Sequence, residues 1–326
     1  LVRDCSRGGK TTLLGPLTPG RIHGSRIGNL HHADIIGVTS RDRVSTKTNS
    51  GSGGQFMIHQ PTLEEYVLHC SRQCTPIYPK DASAIINMLD ISAGDKILEA
   101  GTGNAGLTMH LARAGGMVYT VERSKERAVH AKQIVKEFRN GVLLPSISFH
   151  VGVLAETIDA IVQSVESQSF DGMVLDMPMP WTQLPSVFGC LKPDRYVVCY
   201  LPSMSQVIDL VRACQPWPLL VEDIVEVDWR KWDVRTTTIR NPDEASDEAV
   251  VCRPTHTPGG HTAFLVKLRK FSQFLAVTRI NKPFNMAVNQ AINEEPFIRY
   301  AERLKGLTLG DIPEGSDSFN VKLSAI

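Results

Sequence analysis

The sequence predicts an α/β fold in which a mostly parallel sheet ends in an antiparallel last strand and follows a small N-terminal β-domain. Three observations support this prediction. Apolar runs alternate with helix-forming segments from residue 95 to residue 214, which is the pattern of parallel strands joined by right-handed crossovers. A glycine cluster joins the first of these strands to its helix. Residues 11–60 differ, because short apolar runs alternate there with turn-forming residues and show no helical period.

The N-terminal region carries two short runs typical of strands, Ile35–Val38 and Gln55–Ile58. A connector helix is expected next, with Thr62 as its cap, because a hydroxyl there can accept a first-turn N–H. For the same reason Asp81 is expected to cap a second helix, Ala82–Leu89.

Regular alternation begins at residue 95. The expected strands are Lys96–Ala100, Met117–Glu122, Ile147–His150, Gly172–Asp176 and Tyr196–Leu201. The expected helices are Leu107–Ala114, Lys125–Phe138, Ala155–Val165, Leu184–Cys190 and Ser205–Cys214. An extended run, Leu219–Val234, and a last strand, His261–Leu268, should pair antiparallel, and the acidic stretch Asn241–Glu248 is expected to be a mobile surface loop.

The glycine turn after the first strand indicates a nucleoside pocket. Gly101 and Gly103 lack a Cβ, so the chain can turn sharply there and a ligand can lie against the backbone. The following helix offers N–H groups at its start. A second strand ends about twenty residues later in Glu122, an acid suited to accept both ribose hydroxyls.

The spacing of this turn favours S-adenosylmethionine over NAD. A dinucleotide fingerprint is Gly-x-Gly-x-x-Gly, whereas the turn here is Glu99-x-Gly101-x-Gly103-x-Ala105-Gly106. The carboxylate of Glu99 repels a pyrophosphate and attracts an ammonium group. A glycine loop without a ligand is the simpler alternative.

A further acid, Asp176, ends the fourth expected strand, and ligands of doubly wound sheets bind at the carboxyl ends of the strands. The prolines of Asp176-Met-Pro-Met-Pro-Trp181 prevent regular pairing and hold the loop open. A carboxylate in this position needs a cationic or hydrogen-bonding partner. We therefore expect a substrate-site residue, with a structural helix cap as the alternative.

Composition limits the possibilities further. A chain of 326 residues with 42% hydrophobic content predicts one large domain with an appendage, or two domains. Its net charge of +1 gives no overall basic field, so RNA binding requires local patches or a partner. The seven cysteines include no Cys-x-x-Cys pair, which argues against a disulfide framework or a zinc site and for a reducing compartment. No apolar run approaches the roughly 18 to 20 residues of a membrane span, so we expect a soluble protein.

Four motifs together resemble the catalytic subunits of tRNA adenine-58 N1-methyltransferases, over residues 11–270. They are Ile-Tyr-Pro-Lys-Asp81, Leu-Glu-Ala-Gly-Thr-Gly103, Asp-Met-Pro-Met-Pro-Trp181 and His-Thr-Ala-Phe-Leu265. The ending Gly-Gly-His-Thr-Ala-Phe-Leu-Val-Lys-Leu-Arg-Lys270 is most similar to the mitochondrial branch of that family.

The resemblance implies a class I S-adenosylmethionine-dependent methyltransferase, Rossmann-like, that uses S-adenosyl-L-methionine and acts on tRNA. It implies a homotetramer, or a heterotetramer with a non-catalytic subunit. Asp176 and Tyr78 are the catalytic candidates, and a packed turn residue is the alternative for Tyr78. The predicted donor-binding residues are Glu99, Gly101, Gly103, Asn104, Ala105, Gly106, Leu107, Glu122, Arg127, Val153, Leu154 and Asp176. The expected limits are a β-rich N-terminal domain at 1–60, connector helices at 61–90, the methyltransferase domain at 91–270 and a tail of unknown role at 271–326.

Two departures from the family pattern affect the donor site. Ala105 puts a Cβ where the family's turn usually has glycine, and its small size predicts tolerance. Val153 occupies the position of an Asp that accepts the donor's adenine amine in the family. One such hydrogen bond is worth about 0.5–1.5 kcal/mol, so donor affinity is expected to fall by up to about ten-fold unless Glu156 substitutes.

Cations in the N-terminal region are expected to contact tRNA phosphates, with scattered solvated charges as the alternative. They are Arg21, Arg26, Arg41, Arg43 and Lys47. The basic first ten residues suggest the remnant of an organelle-targeting segment, or a frayed terminus. The expected compartment is the mitochondrion, with the nucleus as the alternative. Two other functions stay open: a non-catalytic RNA-binding subunit, favoured by Val153, and a methyltransferase acting on protein or a small molecule.

Overall fold

The computed structural model describes residues 1–6, 9–239, 247–255 and 260–271. The chain divides into two compact units, the first Leu1–Asp171 and the second beginning at Gly172. The domain limits expected from the sequence stay a prediction, and the tail from residue 272 onward lies outside the described residues. No helix in the described part combines the length and apolar character that a membrane crossing requires.

The first unit opens with a six-stranded sheet in the order β2-β1-β6-β5-β4-β3. Its strands are β1 Val2–Asp4, β2 Thr11–Thr12, β3 Ile22–Ser25, β4 Gly28–His31, β5 Arg43–Thr48 and β6 Gly51–Ile58. Neighbouring strands with recorded registers pair antiparallel. Side chains from five segments of this region, among them Leu30, Val44 and Phe56, form one buried cluster. The β-rich character expected for this region is confirmed.

Two expectations for the N-terminal region are wrong. The run Ile35–Val38 is not a strand: it follows a 3₁₀ turn, His32–Asp34, and the N–H of Val38 donates to the carbonyl of Ile35 at 3.0 Å. Its apolar character reflects burial of Ile35 in the core, not strand pairing. The alternative of a frayed terminus is also wrong for Val2–Asp4, which pair with β6 in the sheet.

Two connector helices follow, α1 Leu63–His69 and α2 Pro79–Leu89. Thr62 caps α1 as expected, and the side chain of Glu65 completes a capping box. The expected cap of α2 is wrong, because the helix begins earlier, with Pro79 in the first position, where no N–H is needed. Asp81 instead lies inside the first turn, fully buried and 2.9 Å from Nζ of Lys80.

The rest of the first unit alternates strands and helices as predicted. The elements are β7 Lys96–Ala100, α3 Gly106–Arg113, β8 Met117–Glu122, α4 Lys125–Glu137, β9 Ile147–Val151 and α5 Leu154–Ser164. β8 pairs in parallel with β7 on one side and with β9 on the other. The carboxyl ends of these strands, and the turns that follow them, therefore lie at one edge.

The second unit contains most of β10 Phe170–Leu175 and the remaining elements. They are α6 Leu184–Val187, β11 Leu191–Leu201, α7 Met204–Cys214, β12 Leu219–Glu226, β13 Trp232–Ile239, β14 Asp247–Pro254 and β15 Phe264–Lys270. β15 pairs antiparallel with both β11 and β12. The predicted antiparallel last strand is thus confirmed.

A hairpin in the second unit was not predicted. The run Leu219–Val234 is not one strand: β12 ends at Glu226, and β13 pairs instead with β14 in a separate two-stranded sheet. Residues 241–246 of the acidic stretch lie outside the described residues, but Asp247 and Glu248 begin β14, so they do not belong to a loop. The apolar run Ala249–Cys252 was the overlooked signal.

Candidate active site

The glycine turn after β7 packs against the end of β8. Gly101 and Gly103 both have positive φ, 98° and 53°, in the left-handed region that favours glycine. The N–H groups of Gly101 and Thr102 donate to the carbonyl of Val121 at 3.0 and 3.3 Å. A Cβ on Gly103 would lie 3.1 Å from Sγ of Cys74. Both the backbone angles and the local space therefore select for glycine at this turn.

Glu122 closes the turn from the end of β8. Its carboxylate accepts the N–H of Gly103 at 3.2 Å and the N–H of Ser124 at 3.0 Å. The Arg127 guanidinium lies 2.8 Å from the oxygen that also accepts from Ser124. A carboxylate offers about four acceptor positions, so three donors orient Glu122 and leave room for a ligand hydroxyl.

Glu99 is almost completely buried, 1% exposed, inside β7. It accepts a hydrogen bond of 2.6 Å from the hydroxyl of Thr108, the third residue of α3. Thr108 was not among the predicted site residues. Its position was the available signal, because the first turn of a helix that follows a strand directly can reach back to that strand. The short strand–turn–helix connection thus fixes the buried acid.

The remaining turn residues divide between backbone and packing roles. The side chain of Asn104 accepts the N–H of Gln73 at 3.1 Å and donates to the carbonyl of Cys74, so it anchors that loop. Ala105 has φ 56° and caps α3 by its backbone, a conformation that costs a residue with a Cβ about 1–2 kcal/mol. A Cβ on Gly106 would approach Val67 at 3.2 Å. Leu107 is buried.

The loop after β9 lies beside Glu122, because the N–H of Gly152 donates to its carbonyl at 3.0 Å. Val153 is the N-cap residue of α5 and supplies no side-chain acceptor. Leu154 is buried, and the exposed Glu156 lies in the first helical turn. Substitution of the missing acceptor by Glu156 stays a prediction.

Tyr78 and Asp176 belong to different units. Tyr78 is the N-cap residue of α2 in the first unit and is partly exposed. Asp176 follows β10 in the second unit and is partly exposed as well. Met179, not Asp176, caps the next helical turn, with φ 51°, so the interpretation of Asp176 as a helix cap is wrong.

A family model described as "tRNA methyltransferase complex GCD14 subunit" matches residues 54–251. The chain belongs to this family. It is 38% identical over 271 residues to the tRNA (adenine(58)-N(1))-methyltransferase TrmI of Thermus thermophilus, covering 83% of this chain and 96% of that protein. It is 28% identical to the catalytic subunit TRM61 of Candida albicans, over 69% of this chain and 66% of that protein.

Two solved structures show the fold of this GCD14 family member. A SAM-dependent O-methyltransferase of Thermotoga maritima matches with a TM-score of 0.63 and 21% identity, over 83% of this chain and 92% of that one. TrmI of Aquifex aeolicus, a tRNA (m1A58) methyltransferase, matches with a TM-score of 0.59 and 24% identity, over 83% and 96%. The predicted class I methyltransferase fold is therefore confirmed.

The first unit of this family member fits the nucleoside part of S-adenosylmethionine. The glycine turn offers a backbone surface that a Cβ at Gly103 would disturb, and Glu122 keeps an acceptor position for a ribose hydroxyl. The buried Glu99, which accepts a hydrogen bond from the Thr108 hydroxyl, lies in the strand that leads into the turn. The assignment of individual donor contacts stays a prediction.

Proposed function

We propose that this chain transfers a methyl group from S-adenosyl-L-methionine to N1 of an adenine in tRNA, at position 58. The observation that carries this proposal is the 38% identity to the Thermus enzyme of that name, which extends over 96% of that enzyme's length. The glycine turn lies within the matched region, and the Glu122 carboxylate that accepts from its Gly103 N–H supports the proposal as a candidate ribose acceptor.

The donor supplies an electrophilic methyl group on a sulfonium centre. In this proposal Glu122 accepts hydrogen bonds from the ribose hydroxyls, and Arg127 and Ser124 hold the carboxylate in place. The backbone at Gly101 and Gly103 would hold the donor, since neither residue carries a Cβ. Glu99 stabilises the ammonium group electrostatically from within the sheet, which explains why an acid is buried there with a hydroxyl partner.

The adenine is reached by extrusion from the RNA, because N1 lies on the Watson–Crick edge and is inaccessible in a paired base. N1 carries a neutral lone pair, so no strong base is needed, and methylation creates positive charge on the purine. We assign Asp176 to stabilise that charge, which develops in the transition state, and to accept a hydrogen bond from the exocyclic amine. Tyr78 orients the base by stacking.

Cationic side chains of the N-terminal sheet are proposed to bind tRNA phosphates. Arg26 and Lys47 lie 3.5 and 3.1 Å from Asp4 and Asp34, yet both side chains remain more than half exposed. Replacing Arg41 and Arg43, which are also exposed, should reduce the salt dependence of tRNA binding by about one unit of slope per lost contact. An unchanged salt dependence of tRNA binding would exclude these residues from the tRNA-binding surface.

Self-association is proposed as well, as a homotetramer or as a heterotetramer with a non-catalytic subunit. The matching family model is described as a subunit of a complex, and the Candida relative is named a catalytic subunit, which supports a multi-chain assembly. Light scattering of the purified chain alone distinguishes the two assemblies. A particle mass of four chains would support the homotetramer, and the mass of a single chain would exclude it and leave the heterotetramer.

We further propose mitochondrial residence, with the nucleus as the alternative. The support is the likeness of the ending at residues 259–270 to the mitochondrial branch, together with higher identity to a bacterial relative than to a fungal one. Imaging of the tagged protein against markers of both compartments tests this proposal.

The proposed reaction is tested by single-turnover methylation of an unmodified tRNA transcript, with the product located by reverse-transcription arrest. Arrest at one adenine of the T-loop supports the proposal. Methylation of a protein extract but not of RNA would support the small-molecule or protein alternative. A purified chain that binds tRNA but no donor at millimolar concentration would be the non-catalytic subunit.

A further inference from the structure

The base of the β13–β14 hairpin emerges at the same edge of the second unit as Asp176. β11 and β12 both pair antiparallel with β15, so they run in one direction, and Leu201 and Glu226 oppose the same residue, Phe264. β10 lies beside β11 and is joined to it through α6, the crossover arrangement of parallel strands. The chain therefore leaves β10, β11 and β12 at one edge.

The segment after β12 presents aromatic and cationic side chains at this edge. The Trp229–Trp232 segment contains two tryptophans, 42% and 57% exposed, with the exposed Arg230 and Lys231 between them. The Arg230 guanidinium carbon lies 5.6 Å from the centre of the Trp232 ring. The N–H of Thr255 donates to the carbonyl of Lys231 at 2.9 Å, which ties the segment to the end of β14.

Exposed aromatic rings beside cationic side chains are typical of surfaces that bind single-stranded nucleic acid. Large aromatic side chains are costly to leave in water, and an exposed group of them marks an interaction site. Unpaired nucleobases stack on such rings, while adjacent cations pair with the phosphates between them. Two consecutive cations at the centre of the segment favour a polyanion over an apolar protein surface, because a protein partner would have to desolvate both charges.

We propose that the Trp229–Trp232 segment binds unpaired nucleotides that flank the target adenine. Stacking on Trp229 and Trp232 holds their bases, and Arg230 and Lys231 pair with the phosphates. Extrusion of the target nucleotide leaves its neighbours without their normal stacking partners, so an aromatic surface at the same edge as Asp176 compensates for that loss. This inference rests on the proposed function and adds the surface that selects single-stranded RNA.

The test uses the full chain and an unmodified tRNA transcript, with affinity measured across a range of salt concentrations. Trp229→Ala should weaken binding by about 5- to 150-fold, the loss of one stacked base. Trp229→Phe should restore most of the affinity. Replacing both Arg230 and Lys231 by Ala should lower the salt slope by about one unit per lost phosphate contact.

Arg212→Ala is the matched control. Arg212 is 72% exposed and lies in the last turn of α7. The edge that carries Asp176 lies at the other end of this helix, where it begins. Its replacement should leave both affinity and salt slope unchanged. Tryptophan fluorescence provides a second readout, because tRNA should quench it less in Trp229→Phe than in the parent.

Equal tRNA affinity of Trp229→Ala and the parent at every salt concentration would overturn the inference. A second outcome would also overturn it: Trp229→Ala has a different particle mass from the parent, and its tRNA affinity equals that of the parent when particles of the same mass are compared. The segment would then be a protein interface. Donor binding and methyl transfer by the parent chain test the proposed function separately. If the parent chain methylates tRNA and the variants bind tRNA as tightly as the parent does, only the role of the Trp229–Trp232 segment is rejected.

Discussion

The backbone N–H of Gly103 donates to the carboxylate of Glu122 at 3.2 Å, so the turn after one strand is tied to the acid at the end of the next. This bond spans nineteen positions of the chain. It places the two features expected to hold a nucleoside, an open backbone and a ribose acceptor, in direct contact. The predicted donor pocket would thus depend on backbone geometry as much as on side chains.

Replacing Glu122 by Gln should weaken donor binding by about 10- to 150-fold, because hydrogen bonds to charged groups contribute roughly 1.5–3 kcal/mol. The amide also loses the Arg127 ion pair. Calorimetric titration with S-adenosylhomocysteine measures the effect. Glu126→Gln, an exposed position on α4, is the control and should bind as the parent does. Equal affinity of a folded Glu122→Gln would remove this residue from the donor site.

Val153→Asp should act on stability and on donor binding separately. An Asp at the N-cap of α5 accepts a first-turn N–H that Val153 leaves without a side-chain acceptor, for a gain of about 0.5–2 kcal/mol. Urea unfolding measures this gain. If the position faces the donor's adenine, titration should also show tighter binding, by up to about ten-fold.

The control for this change is Val153→Asn, which caps the helix about equally but carries no charge. Stabilisation of both variants with weaker donor binding by Asp would show that the pocket around Val153 requires an apolar side chain.

Thr108→Val keeps the volume of the side chain but removes the hydroxyl that donates to Glu99. A buried carboxylate that loses a donor costs about 1–3 kcal/mol, so the free energy of unfolding should fall by that amount. Thr108→Ser retains the donor and should unfold close to the parent. A valine variant as stable as the parent would mean that Glu99 depends on its other contacts.

His110 should make the stability fall with acidification. Burial, the main cause, lowers its pKa, and Arg113 lowers it further, against the opposing hydrogen bond to the carbonyl of Gly106 and the charge of Glu64. The unfolded chain therefore takes up the proton more readily, so the stability contribution is complete above about pH 6.5 and is lost as pH falls through the lower folded pKa.

The measurement compares urea unfolding of the parent and His110→Gln between about pH 7 and pH 5. The variant should show a shallower decline, with a difference in slope of at most about 1.4 kcal/mol per pH unit for one proton. Burial also lowers the pKa of His150, so some decline should persist. Parallel profiles would mean that His110 is solvated enough to titrate normally.

The glycine turn after β7 was predictable because the residues that indicate it are close together in the sequence. The positive φ at Gly101 and Gly103 follows from their lack of a Cβ, and Glu122 follows from its place at a strand end. The bond from Asn104 to the loop at Gln73 was not predictable, because the partners are 31 positions apart and nothing in the local sequence marks their approach. Contacts between residues so far apart in the sequence become visible only in the folded structure.

The errors have equally specific causes. Ile35–Val38 resembles a strand because a buried isoleucine in a turn and one in a strand give the same apolar signal. The β13–β14 hairpin was missed because acidic residues precede the short apolar run Ala249–Cys252, so the polar stretch was extended too far. Asp176 was predicted as the last residue of its strand and lies one residue beyond it, close to the predicted place because the prolines mark the following loop.

The proposed role of Asp176 in methyl transfer is tested by the single-turnover reaction of Asp176→Asn with an unmodified tRNA transcript. The amide keeps the shape and a hydrogen-bond acceptor but removes the negative charge. If Asp176 stabilises the charge on the base, the rate should fall on the order of 10² or more, with donor affinity largely unchanged. Transfer near the parent rate by both Asp176→Asn and Asp176→Ala would contradict it.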